Sequence, residues 1–241
     1  MQRFIDANDY PVGTLLSTVG FPMWGAFGPS YDLECVDLGD GRHIWQATGG
    51  TGLNDVADYK DFAKTLNQEI LLIQDFTSSE VGVSAVNLEA HARRTGDTRG
   101  LRVSGSASTP TFQILGATQS VEVNSPPTGW ALTNATAMRF RAQGDKIYGK
   151  MWQFTVGNDP AAAEPGSWQY EATVSTPTNP GYLGLGERNA SDLMRYSIIS
   201  LATDGDVAPF GQVPDPIVAQ PQNLQVTNIT SNSADFSWDA S

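Results

Sequence analysis

The sequence predicts an all-β sandwich. Three observations point there. Apolar and polar residues alternate in short runs along most of the chain, which is the period of a half-buried strand. Gly (24) and Pro (14) are frequent and separate those runs. Only 17% of residues are charged, while Thr, Ser, Val and Asn recur, a composition suited to strands and turns rather than long helices. The 241 residues, 40% of them apolar, are enough for one large domain or two small ones.

The elements follow in chain order. YDLECVDL at 31–38 and GRHIWQAT at 41–48 flank Gly39-Asp40-Gly41, the signature of a hairpin. Helical spacing is scarce. Its best instance is 53–72, where Leu53, Val56, Tyr59, Phe62, Ala63 and Leu66 recur at helical intervals behind Thr51 or Asn54 as a cap, so at most a short helix or an irregular loop is expected. Val86, Leu88, Ala90 and Ala92 then alternate against Asn87, Glu89, His91 and Arg93. RGLRVSG at 99–105 follows a Thr-Gly-Asp turn, and PTFQILGA at 110–117 reads as a further strand. Residues 135–155 read as two strands meeting at a tight Gly144-Asp145 turn. Strands at 168–174, 181–189 and 193–203 complete the set. From Thr203 to Pro221 the chain carries Pro209, Pro214, Pro216 and Pro221 without periodicity, the composition of an extended linker. PQNLQVTNITSNSADFSWDAS at 221–241 then reads as two strands around a polar turn.

Charge and cysteine narrow the function classes. With 26 acidic and 14 basic residues, the formal net charge of −12 repels polyanions, so nucleic acid is not an expected partner. Cys35 has no second cysteine to pair with and reads as a small buried hydrophobe. MQRFIDANDYPVG lacks the basic and apolar regions of an export signal. EILLI at 69–73 is the strongest apolar run and is far shorter than the ~18 residues of a membrane-spanning helix, so no membrane insertion is expected.

At 84–203 the order of elements resembles the concanavalin A-like lectin and laminin-G-like jelly rolls. The residues carrying the likeness are Arg139, Arg141, Gly144 and Ile147, then Lys150 and Trp152, then Gly181, Tyr182, Gly184 and Leu185, and a closing strand with Tyr196. FIDANDYPVGTL at 4–15 is similar to the opening strand of such domains, which pairs near the closing one. The closing stretch resembles the start of a fibronectin type III domain through Pro221, Leu224, Val226, Ile229, Ala234, Phe236 and Trp238. These resemblances imply three parts: a concanavalin A/laminin-G-like sandwich over 1–203, a Pro-rich linker over 204–220, and an N-terminal fragment of a fibronectin type III domain over 221–241, in a natural polypeptide that continues.

The chemistry expected is binding rather than reaction. Glycosidases on this fold need two carboxylates at short spacing on one strand, and no such spacing occurs; Glu89 stands alone, and Glu122, Glu164 and Glu171 are scattered, with Glu164 reading as a solvated turn residue. His43 and His91 lie on strand patterns without a second ligand at zinc-like spacing. GYLGLGERN lies mid-strand with no helix after it, so it is no nucleotide site. No cofactor is expected. Calcium is the one ion for which the sequence leaves room, at the carboxylate-bearing turns 37–41, 158–164 and 203–206. Trp45 and Trp152 read as core. Trp130 and Trp168 start strands next to loops and are the candidate carbohydrate-binding residues, with packing at the sandwich rim as the plainer reading.

Modules of these kinds are typical outside cells, yet no export signal is visible, and a tailed bacteriophage reconciles the two. Virion proteins assemble in the host cytoplasm and leave by lysis. The expected function is therefore a non-catalytic virion structural protein of the tail tip, fibre or surface decoration. Its expected partners are other virion proteins, host-surface glycans and further copies of itself as a homo-oligomer, although no heptads support the last. The alternatives are a secreted bacterial carbohydrate-binding module and a degenerate glycoside hydrolase.

Overall fold

The computed structural model describes residues 1–19, 32–47, 55–59, 62, 64–77, 80–81, 88–94, 99–104, 111–115, 121–123, 131, 134–173, 180–187, 195–212, 222–227 and 235–239. These form an all-β jelly-roll sandwich. One six-stranded antiparallel sheet has the order β1-β15-β5-β10-β11-β12, with β1 at Gln2–Asp6, β5 at Gln68–Gln74, β10 at Ala135–Gln143, β11 at Lys146–Phe154, β12 at Tyr170–Thr173 and β15 at Ile198–Thr203. A second has the order β4-β13-β6-β7-β8-β9, with β4 at Asp55–Tyr59, β6 at Leu88–Arg94, β7 at Arg99–Ser104, β8 at Thr111–Leu115, β9 at Val121–Val123 and β13 at Tyr182–Glu187. A three-stranded sheet joins β2 (Leu33–Asp37), β3 (His43–Ala47) and β14 (Arg195–Tyr196). β16 (Gln222–Thr227) and β17 (Asp235–Asp239) pair with each other, which is the strand content predicted for the closing stretch.

The main core lies between the layers and is filled by side chains on one face of each strand. Ile70 and Leu72 of β5, Met138 and Phe140 of β10, and Ile199 and Leu201 of β15 meet Leu183 and Leu185 of β13 and Leu33, Cys35 and Trp45 of β2 and β3. The predicted hairpins at 31–48 and 135–155 are present, as is the pairing of the opening strand with the closing one, Gln2 opposite Ala202 through Asp6 opposite Ile198. At the first hairpin Asp37 Oδ1 accepts from Gly39 N (2.7 Å) and Gly41 N (3.3 Å), an Asx turn that needs both glycines at positive φ. Trp45 and Trp152 are core residues, 0% and 4% exposed.

Two readings need correction. Among the described residues of 53–72 none is helical: β4 and the start of β5 lie there, with Tyr59 and Phe62 packed edge to face at 4.7 Å between ring centroids. Of the residues at helical spacing, Val56 and Tyr59 lie on β4, and Phe62 and Leu66 precede β5. β5 itself shows no period-two signal, because all seven of its residues are buried and it is covered on both faces. The linker also begins later than Thr203. Ala208 is fully buried and packs with Leu71, Ile73, Ala137, Trp152 and Ala202 in a second, smaller core on the outer face of the first sheet. Residues 204–212 are therefore part of the sandwich; 213–220 lie outside the described residues.

Candidate functional site

Strand alternation divides β10 between two environments. Met138, Phe140 and Ala142 enter the main core, so Arg139, Arg141 and Gln143 occupy the outer face. The ladders set their neighbours. Arg141 lies opposite Glu69 of β5 on one side and Tyr148 of β11 on the other, and Tyr148 lies opposite Glu171 of β12. Arg139 lies opposite Lys150, and Gln143 opposite Lys146. The outer face of the first sheet is thus apolar at one end, over Leu71, Ile73, Ala137 and Trp152, and polar at the other.

The polar end is organised around a buried carboxylate. Glu69 is 1% exposed, and Arg139 is 2% exposed. Glu69 Oε1 accepts from Arg139 Nη1 and from the backbone N of Ala208 (3.0 Å), while Oε2 accepts from Arg141 Nε. Arg139 donates further, through Nη1 to the Ala208 carbonyl (2.8 Å) and through Nε and Nη2 to the two oxygens of Glu164 (2.7 and 3.3 Å). Lys150 Nζ adds Glu164 Oε1 at 2.9 Å. Charges this deeply desolvated persist only when each is paired and hydrogen-bonded. Glu164 is therefore not the solvated turn residue that its Glu-Pro context predicts. The single-turn 3-10 helix Pro160–Ala163, capped by Asp159, delivers it inward over β10.

Trp168 crowns this network. Its ring lies 5.4 Å from that of Tyr148, with the Arg141 guanidinium carbon 5.0 Å and Lys150 Nζ 4.8 Å from its centroid. The indole thus packs against two cations at the rim of the sandwich. What faces solvent beside it is polar. Arg141 keeps 26% of its side chain exposed, and among the described residues its Nη groups make no hydrogen bond. A shallow cleft next to it is lined by Asn67, Glu69, Arg141, Gln143, Gly205 and Asp206. Lys146 and Glu171 pair across β11 and β12, and the accepting carboxylate pushes the Lys146 ammonium up from its ordinary value.

The other predicted sites fare differently. Trp130 lies outside the described residues. The three turns offered to calcium have their carboxylates engaged. Asp37 closes its own turn and Asp40 holds Arg42; Asp159 caps a helix and Glu164 binds Arg139; Asp204 accepts from Thr65 and Thr203, and Asp206 meets the Met1 ammonium. No group of three or more His, Cys, Asp or Glu is placed to hold a metal among the described residues. His43 Nδ1 lies 3.0 Å from the Tyr10 carbonyl, and His91 sits in β6 opposite Gly100 and Gly184. Glu69 and Glu164 do come together, but with Arg139 between them and their oxygens taken by donors, unlike an acid and base that share an open cleft.

Sequence reasoning treated Arg139, Arg141 and Lys150 as marks of the fold and passed over Glu69. A signal was present. A lone carboxylate heading the apolar run Ile70–Ile73 has to be paired wherever that run is buried on both faces.

With the site in view, the fold defines the class: an antiparallel jelly-roll sandwich with a charged, aromatic-topped outer face. No family model matches the sequence, and no curated protein matches it. Solved structures do. A protein of unknown function from Shewanella oneidensis MR-1 is similar at 13% identity over 83% of this chain and 85% of its own, with a TM-score of 0.48. A glycosyl hydrolase family protein from Mycobacterium fortuitum is similar at 11% identity over 84% and 98%, with a TM-score of 0.45. The galectin LEC-6 of Caenorhabditis elegans is similar at 11% over 64% and 91%, with a TM-score of 0.38. At such identities and scores these likenesses carry no inference about what the chain binds.

Proposed function

We propose that the protein is a carbohydrate-binding sandwich and that its site is the polar end of the outer face. The observation that supports this reading is the juxtaposition of half-buried Tyr148 and Trp168 with the outward edge of Arg141 and the amides of Asn67 and Gln143. Saccharides offer apolar C–H faces and rings of hydroxyls. A site for them needs aromatic surface beside planar donors and acceptors held in place. Here Trp168 and Glu69 immobilise Arg141, so little side-chain freedom remains to be lost on binding. Trp168 acts mainly by packing Arg141, and Tyr148 supplies the accessible ring. A glycan array probed with the full chain tests the reading. Binding that weakens at least tenfold in Tyr148→Ala and in Trp168→Ala supports it; no binding to any saccharide, or binding indifferent to both substitutions, ends it.

A virion setting remains a second proposal. The observation that supports it is the segment 204–212, held against the sandwich by the buried Ala208 and its bond to Glu69, as a stiff connection in a fibre would be. Immunogold labelling of purified phage particles with an antibody to this chain tests it, and particles that stay unlabelled refute it.

A further inference from the structure

We infer that the sugar recognised at this site carries a carboxylate, as a uronic acid does, and that Arg141 binds it. The inference rests on the carbohydrate-binding reading and goes one step beyond it, to the chemical class of the ligand. Arg141 is held from behind. Its Nε donates to Glu69 and its guanidinium lies on the Trp168 ring, while Nη1 and Nη2 make no hydrogen bond among the described residues. Two adjacent N–H groups in one plane match the two oxygens of a carboxylate, and such charge-assisted pairs are about twice as strong as neutral hydrogen bonds.

The surrounding charges are consistent with an anion there. Four carboxylates at this end of the sheet already have a cation: Glu69 has Arg139 and Arg141, Glu164 has Arg139 and Lys150, Glu171 has Lys146, and Asp206 has the Met1 ammonium; of the others nearby, Asp204 accepts from the Thr65 and Thr203 hydroxyls and Asp145 lies beside Lys146. The outer edge of Arg141 is the one cationic surface of the cluster that none of them fills. Sugar hydroxyls have partners beside it. Asn67 spends its Oδ1 on Gly144 N (3.1 Å), leaving its Nδ2 to donate, and neither the Gln143 amide nor the Tyr148 hydroxyl is engaged among the described residues. A neutral sugar would use those groups and leave the guanidinium edge wet; a uronate uses both.

The test is an array of uronate oligosaccharides, each printed beside the same oligosaccharide with its carboxyls reduced to primary alcohols and probed with the full chain. The expected result is binding to one or more uronates that falls at least tenfold on the reduced counterpart and weakens as salt rises from 0.05 to 0.5 M, values chosen to span a large change in screening. Arg141→Gln should abolish the preference, while Arg141→Lys, which keeps the charge without the fork, should retain part of it. The comparison on the unaltered protein needs no variant to fold. Equal binding to the acidic and reduced forms, or a preference for the reduced ones, overturns the carboxylate inference and leaves the carbohydrate reading standing. Absence of binding to every saccharide overturns both.

Discussion

Cys35 of β2 and Asp6 of β1 illustrate what burial does to single groups. Cys35 is fully buried with its Sγ 3.5 Å from the carbonyls of Ala7 and Tyr10, and burial pushes its thiol up. A thiol that is neither exposed nor deprotonated is a poor nucleophile. A disulfide reagent such as DTNB is expected to leave the native protein unmodified and to titrate one thiol after denaturation; rapid reaction in the native state would contradict this. Asp6 caps the turn Ala7–Asp9 by accepting from Asn8 N at 2.9 Å, and burial, then the nearby Asp9 and Asp75 carboxylates, raise it above its ordinary value of 3.8. The sign follows from proton counting. Between its unfolded and its raised folded values the native state binds more protons, so this group's contribution to stability falls as pH rises through that window. Asp6→Asn keeps the capping oxygen and removes the charge. Melting curves should show it matching the wild type at low pH and gaining on it as pH rises toward neutrality.

At the scale of elements, the hairpins were legible because their signals are local. The β10–β11 turn needs a glycine: Gly144 has φ of +55°, and an added Cβ would meet no atom within 4 Å. The penalty for a side chain there is therefore one of backbone conformation alone, roughly 1 kcal/mol. Gly144→Ala should lower unfolding stability in urea by that amount without changing the slope of the transition. β5 was illegible for the opposite reason. Its residues answer to two cores at once, Ile70 and Leu72 to one and Leu71 and Ile73 to the other, so neither periodicity survives. The segment written as one closing strand at 193–203 is split at Ser197, whose N donates to the Ile73 carbonyl (2.8 Å) and whose hydroxyl accepts from Asp75 N (2.9 Å). β14 goes to β3 and β15 to β1 and β5, a parting that depends on partners remote in sequence.

Across the whole molecule the Glu69–Arg139–Glu164 cluster ties the sheet, the 155–168 segment and residues 204–212 together. Ala208 exchanges both of its backbone groups with the cluster, and Phe210 packs 4.9 Å from the Arg139 guanidinium and edge-on to Trp152 at 6.2 Å. Removing one partner strands the others. Arg139→Ala should destabilise the protein by about 3 kcal/mol and open 204–212 to limited proteolysis, because Glu69 loses a counter-ion and Ala208 a donor. Replacing Glu69 and Arg139 together by Leu and Met should be milder than Arg139→Ala alone, since no buried charge of that pair is then left without its partner; a double variant that is worse would show the cluster to be more than a balanced pair.

Alternation, glycine and proline by themselves determined that this chain is all β, where its local hairpins turn, and that Trp45, Trp152 and Cys35 lie inside. Those are consequences of a two-residue period and of turns a few residues long, which a short window of sequence contains. Which charges meet on the outer face was decided by tertiary structure alone. Glu69 and Arg139 are 70 positions apart, and Arg139 and Glu164 are 25 apart, so no local pattern links them. Only the ladder that sets β5 against β10, and the loop that folds back over both, brings those charges close enough for each to be buried.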